Sequence, residues 1–182
     1  IRALLACAGQ TWQEHDQAAI ERLHAQAPAD QAVPLMGPPM LIDKRSGFAL
    51  SQMTAIALYL GERHGLLPAS PELRALTTKV VADANDVIDE LTLDGGREMW
   101  TPEKWQAFVP RLQHWMTMWE VMAARHGVRA DAGYLLGTPE PGVADILTST
   151  LWTTMADRFG QIGELLERTA PVTAALSRRL QQ

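Results

Sequence analysis

Apolar positions outline the chain. Ile1, Leu4, Leu5 and Ala8 recur at helical spacing and stop at Gly9, a residue suited to the left-handed turn that ends helices. Thr11 to His15, around Trp12, reads as a short strand, and residues 17–26 as a short helix stopped by Pro28. The proline-bounded run Gly37-Pro38-Pro39-Met40-Leu41-Ile42-Asp43, the turn Lys44-Arg45-Ser46-Gly47 and the run Phe48-Ala49-Leu50 predict a β-hairpin. Thr54 to His64 returns to the helical period through Ile56, Tyr59 and Leu60 and closes at Gly65, with Pro68 and Pro71 beyond it.

From there no segment alternates with period two. Leu73, Leu76, Val80, Ala84, Val87 and Leu91 make one long stripe that Asp94-Gly95-Gly96 should end. Trp105, Phe108, Leu112, Trp115 or Met116, Trp119 and Met122 make a second, and Val143, Ile146, Leu147, Thr150, Leu151, Met155 and Phe159 a third. Shorter helices are expected over 161–168 and 172–180. The pattern predicts a small mixed α/β region over 1–65, a linker, and an all-α helical bundle over 72–182.

Composition narrows the function classes. At 182 residues with 47% hydrophobic and 20% charged residues, the chain can bury a core, so disorder and fibrous architectures are excluded. A formal net charge of -5 leaves no general basic field, which argues against nucleic acid as the main partner. No run approaches the roughly 18 apolar residues of a membrane span, and no signal peptide opens the chain, so a cytoplasmic protein is expected. Cys7 stands alone, without CxxC, and is read as a small core residue. His15, His24, His64, His114 and His126 are scattered without ligand spacing, and no metal site is expected.

Several segments in order resemble the cytosolic glutathione transferases. Ile1-Arg2-Ala3-Leu4-Leu5 followed by Gly9-Gln10-Thr11-Trp12-Gln13-Glu14 resembles the first helix and second strand of pi, alpha and sigma-like members. Pro39-Met40-Leu41-Ile42-Asp43 resembles their cis-proline strand, and Leu50-Ser51-Gln52-Met53-Thr54-Ala55-Ile56 their strand-to-helix turn. Gly142-Val143-Ala144-Asp145 resembles the family's buried capping box.

The resemblance implies a thioredoxin-like N-terminal domain over 1–65 and an all-helical C-terminal domain over 72–182. It also implies a homodimer, and a detoxifying transferase that conjugates the thiolate of glutathione, as co-substrate, to a small hydrophobic electrophile. Pro38 and Pro39 would hold the cysteinyl backbone, and Gln52 and Met53 the γ-glutamyl group. One of Asp86, Asp89 and Glu90 would reach the ammonium of a ligand on the partner subunit. In the family the first strand and the thiol-activating tyrosine, serine or cysteine precede the first helix, so the resemblance puts the catalytic residue upstream of Ile1. Met99 and Trp100, beside Gly95-Gly96, are candidates for the electrophile pocket, while the Trp105, Trp115 and Trp119 stripe is read mainly as core.

Three positions depart from the family pattern. Met53 replaces a serine or threonine and gives up a hydroxyl contact of about 1 kcal/mol. Pro38 has no N–H for a ladder bond. Gly142 stands where a capping serine or threonine is usual, a change that costs only a few tenths of a kcal/mol on capping grounds. Pro38 and Met53 keep open a second reading, a non-catalytic binding or assembly module of the same fold.

Overall fold

The computed structural model describes residues 1–93 and 97–181 and divides into two units, Ile1–Gly65 and Leu66–Gln182. The expected helix stop at Asp94-Gly95-Gly96 lies outside the described residues. Among those described, no helix is long and apolar enough to cross a membrane, and no group of three His, Cys, Asp or Glu side chains is placed to hold a metal ion.

In the first unit, α1 (Arg2–Cys7) buries Leu4 and Leu5 and packs on α3 (Met53–Arg63), which contributes Ile56, Ala57 and Leu60. Gly9 ends the first turn at φ 62°. Cys7 falls on the exposed side of α1 rather than in the core, because the buried face of this short helix is filled by the leucine pair. The strand expected over Thr11–His15 does not form: among the described residues it has no ladder partner. Its side chains turn back on α1 instead, Arg2 gripping Glu14 through Nε (2.7 Å) and a second nitrogen (2.8 Å) while Trp12 Nε1 donates to the same carboxylate (3.0 Å). That guanidinium pulls the Glu14 pKa down to about 2. Helix α2 (Gln17–His24) starts where Asp16 accepts a hydrogen bond from the Ala19 N–H, and a single 3₁₀ turn follows at Pro28–Asp30.

The hairpin forms as expected. Strands β1 (Met40–Ile42) and β2 (Ala49–Ser51) pair antiparallel with Met40 opposite Ser51 and Ile42 opposite Ala49. Asp43 organises the turn, its carboxylate accepting from the Arg45 N–H (2.9 Å) and the Ser46 hydroxyl (3.0 Å). Gly47 completes it at φ 72°, a conformation other residues adopt only with strain. Arg63, at the end of α3, pairs with Asp43 at 2.9 Å and ties helix to turn.

The second unit is all helical: α4 (Pro71–Leu91), α5 (Pro102–Arg125), α6 (Val143–Arg158), α7 (Gly160–Thr169) and α8 (Pro171–Arg179). Ser70 and Thr101 cap α4 and α5, each followed by proline at the first helical position. Helix α6 is the hub, packed against α4, α7 and α8 and buried on most of its faces. Two of its hydroxyl residues are occupied inside the core, whereas the buried Trp152 Nε1 has no hydrogen-bond partner among the described residues. Trp119 Nε1 donates to Thr148 at 2.9 Å, and the Ser149 hydroxyl donates to the Ser177 carbonyl at 2.7 Å. Helix α5 runs through Pro110, which is exposed and has no N–H to offer the Gln106 carbonyl.

Candidate functional site

In the first unit, the hairpin register assembles the candidate residues. Because Met40 stands opposite Ser51, the antiparallel pairing brings Pro38 and Pro39, just before β1, to the same end of the hairpin as Gln52 and Met53, just after β2. The Pro38–Pro39 peptide bond is cis. Its preceding residue offers a carbonyl acceptor and no donor.

Gln52 is a left-handed-region outlier at φ 74°, ψ 124°, a conformation a side-chain-bearing residue holds only when its surroundings impose it. It opens α3 without capping it. The N-termini of α2, α4 and α5 are each closed by a side-chain oxygen of the N-cap residue, whereas α3, like α1, α6, α7 and α8, has no such cap. Its first-turn N–H groups, from Met53 onward, therefore stand at the positive end of the helix dipole without a protein acceptor from the cap. Gln52 itself is exposed, and Met53 half-buried.

The second unit holds the other candidates. Asp86 and Asp89 are exposed on α4. Glu90 is occupied: Arg111 of α5 grips it with two nitrogens, Nε at 2.7 Å, and Trp115 Nε1 donates to it at 3.0 Å. The Arg111 guanidinium first, and the indole second, hold the Glu90 carboxyl below its usual range against the opposing effect of burial. Met99 is 81% exposed. Trp100 is half-buried, with its Nε1 donating to the Leu91 carbonyl at 2.9 Å, so it finishes the last turn of α4. Its ring meets Trp105 edge-on at 5.6 Å and Phe108 at 5.2 Å.

Trp100 borders two hollows in this unit. One, of about 390 Å³, lies between the end of α4, the start of α5 and the α6–α7 junction, lined by Leu91, Trp100, Trp105, Gln106, Phe159 and Ile162 among others. The second, more open, shares Trp100 and is lined by Asp89, Glu90, Lys104, Phe108 and Arg111 among others. Phe159 and Gln161 carry no motif. The local signal for them is an apolar residue immediately before Gly160, where one helix stripe breaks into the next.

At the start of α6 the expected capping geometry is present in part. Asp145 accepts from the Gly142 N–H at 2.9 Å and also from the Leu135 N–H at 2.7 Å. Gly142 has no side chain to reciprocate, so only the aspartate half of the box exists.

A family model of the glutathione S-transferase C-terminal domain matches residues 76–182, more than half of the chain. The chain belongs to the glutathione S-transferase family. No curated protein matches it. Among solved structures it is similar to NaGST-2, with a TM-score of 0.75 and 22% identity over 100% of this chain and 84% of that one. It is also similar to monomeric Na-GST-3, a glutathione S-transferase from the hookworm Necator americanus, with a TM-score of 0.75 and 19% identity over 99% of this chain and 83% of that one. These likenesses place the fold of this glutathione S-transferase-family chain alongside theirs.

Proposed function

We propose that this chain is a glutathione transferase, its first unit a thioredoxin-like domain that binds glutathione and its helical unit the holder of a hydrophobic electrophile. The observation that carries this reading is the uncapped start of α3, opened by Gln52 at φ 74° and set by the hairpin register beside the cis Pro38–Pro39 bond. A carboxylate fits that helix start on grounds of both free N–H groups and dipole. The γ-glutamyl carboxylate would lie on the Met53 N–H with the Gln52 amide beside it, and the cysteinyl N–H would donate to the Pro38 carbonyl as an added strand does. Pro39 shapes the turn that presents that carbonyl.

In the reaction the glutathione sulfur forms a bond to the electrophilic carbon as the leaving group departs or the double bond takes up a proton. None of Pro38, Pro39, Gln52 and Met53 can take the thiol proton, so these residues bind and orient, and the activating hydroxyl or thiol is a separate group. In a homodimer, Asp86 or Asp89 of a second copy would meet the ligand's ammonium. Glu90 is the weaker candidate because Arg111 and Trp115 already occupy it. Met99 and Trp100 belong to the electrophile side.

A non-catalytic binding or assembly module is the second reading, favoured by the missing N–H at Pro38 and the missing hydroxyl at Met53. Calorimetry with glutathione separates the two. The transferase reading expects a micromolar-to-millimolar Kd that Gln52→Ala weakens about tenfold, the loss of one or two hydrogen bonds to a charged group. Absence of heat from the folded chain would discard it in favour of the scaffold.

A further inference from the structure

We propose that Pro38 makes the candidate site blind to the carbonyl of the ligand's cysteinyl unit, so that its co-substrates are γ-glutamyl thiols as a class rather than the tripeptide alone. This rests on the function proposed above and narrows which part of the ligand that site reads.

Donors and acceptors are unevenly divided at this end of the hairpin. The first helical bond of α3 runs from the Ile56 N–H to the Gln52 carbonyl at 3.0 Å, so the N–H groups of Met53, Thr54 and Ala55 have no acceptor within the helix. Gln52, exposed, adds its amide. Across the hairpin the opposite holds. Pro38 is exposed, its carbonyl accepts no hydrogen bond among the described residues, and neither Pro38 nor Pro39 has an N–H. Two successive residues therefore lack donors.

Such a site fits a ligand that accepts at one end and donates at the other. A γ-glutamyl amide does both: its α-carboxylate accepts from the start of α3, and its amide N–H donates to the Pro38 carbonyl. In an ordinary antiparallel pairing the residue at position 38 would also donate to the carbonyl that follows in the ligand, the second bond of the pair. Proline removes that bond at its source. A site with a donor there would reject a ligand lacking the carbonyl, because the donor would be left unpaired, whereas with proline there is no donor to strand. A peptide carbonyl, a carboxylate or a hydrogen at that carbon then leaves the bonds to Pro38 and α3 the same. The N–H of Met53 does not depend on its side chain, so selection for the γ-glutamyl end is retained.

Glutathione and γ-glutamylcysteamine, which carries a hydrogen in place of the cysteinyl carbonyl and glycine, test this by calorimetry on the full chain under reducing conditions. The unaltered protein is expected to bind the two with Kd values within about threefold of each other. Pro38→Leu, which restores an N–H, should tighten glutathione about fivefold and leave γ-glutamylcysteamine unchanged, the glycyl contribution cancelling in the double comparison. Pro38→Ala restores the same N–H with a smaller side chain and should give the same split, and the comparison in the unaltered protein stands without either variant. A loss of more than about threefold for γ-glutamylcysteamine in the unaltered protein, or folded variants that tighten both ligands alike or neither, would overturn the proposal while glutathione binding itself stands. Glutathione giving no heat with the unaltered chain would instead overturn the transferase reading, and this proposal with it.

Discussion

Gly142 is the residue at which capping chemistry and packing disagree. Capping alone says that serine would serve as well or better at the start of α6. In the fold, Val143 N–H donates to the Leu66 carbonyl at 3.0 Å, and a Cβ on Gly142 would lie 2.8 Å from that same oxygen. The glycine admits a close backbone approach, at φ -120°, where no left-handed geometry is involved. Gly142→Ser should therefore destabilise the protein by about 1–3 kcal/mol, the usual cost of overpacking, despite improving the cap. Urea unfolding measures it, and an unchanged or higher midpoint would show that the Leu66 backbone yields. Asp145, 1% exposed, was legible as a capping residue from its spacing to Gly142; its second bond, to Leu135, was not, because Leu135 is brought to it by the loop before α6.

Among elements, the end of the chain shows how one helix is capped by another. Ala170 gives α8 no side-chain cap, but Glu120 of α5 accepts from the N–H groups of Val172 (3.0 Å) and Thr173 (2.9 Å) and from the Thr173 hydroxyl (2.9 Å). A carboxylate at a helix start also meets the favourable end of the dipole. Glu120→Ala should cost about 1–3 kcal/mol and speed amide exchange at Val172 and Thr173, with Glu120→Gln intermediate because it keeps one acceptor oxygen. Unaltered exchange at those two amides would remove Glu120 from this role. The helices themselves were readable from apolar stripes: α3, α4, α5 and α6 each fall where their periodicity predicts. Thr11–His15 did not become a strand because alternation proposes a strand only if a partner edge is present to pair with it.

At the level of the whole molecule, acid should act through ion pairs that span elements. Arg111 lowers the Glu90 pKa in the folded protein, so the α4–α5 link contributes fully above the ordinary glutamate value and is lost as pH falls through the lowered one. Asp145 has the opposite sign. Burial raises its pKa, chiefly by desolvation, so its contribution declines as pH rises from the ordinary aspartate value through the raised one. Glu90→Gln is expected to flatten the fall in melting temperature between about pH 5 and pH 3, and to cost about 1 kcal/mol or less at neutral pH, as expected of a partly exposed pair. An acid limb as steep as that of the unaltered protein would show that other carboxylates set it.

What the sequence by itself determined are features whose cause is local: helix periods, the proline-bounded hairpin and its Asp43–Gly47 turn, the proline and serine or threonine signals at the starts of α4 and α5, and the order of segments resembling glutathione transferases. Periodicity and turn chemistry act over a few residues, so they can be read without knowing what lies across the fold. The tertiary structure decided the rest: the left-handed Gln52 beside the cis Pro38–Pro39 bond, the capture of Glu90 by Arg111 and Trp115, the Glu120 cap on α8, the close approach of Gly142 to Leu66, and the two hollows that share Trp100. Each depends on groups far apart in the chain, and their contact distances and charges exist only once packing has brought them together.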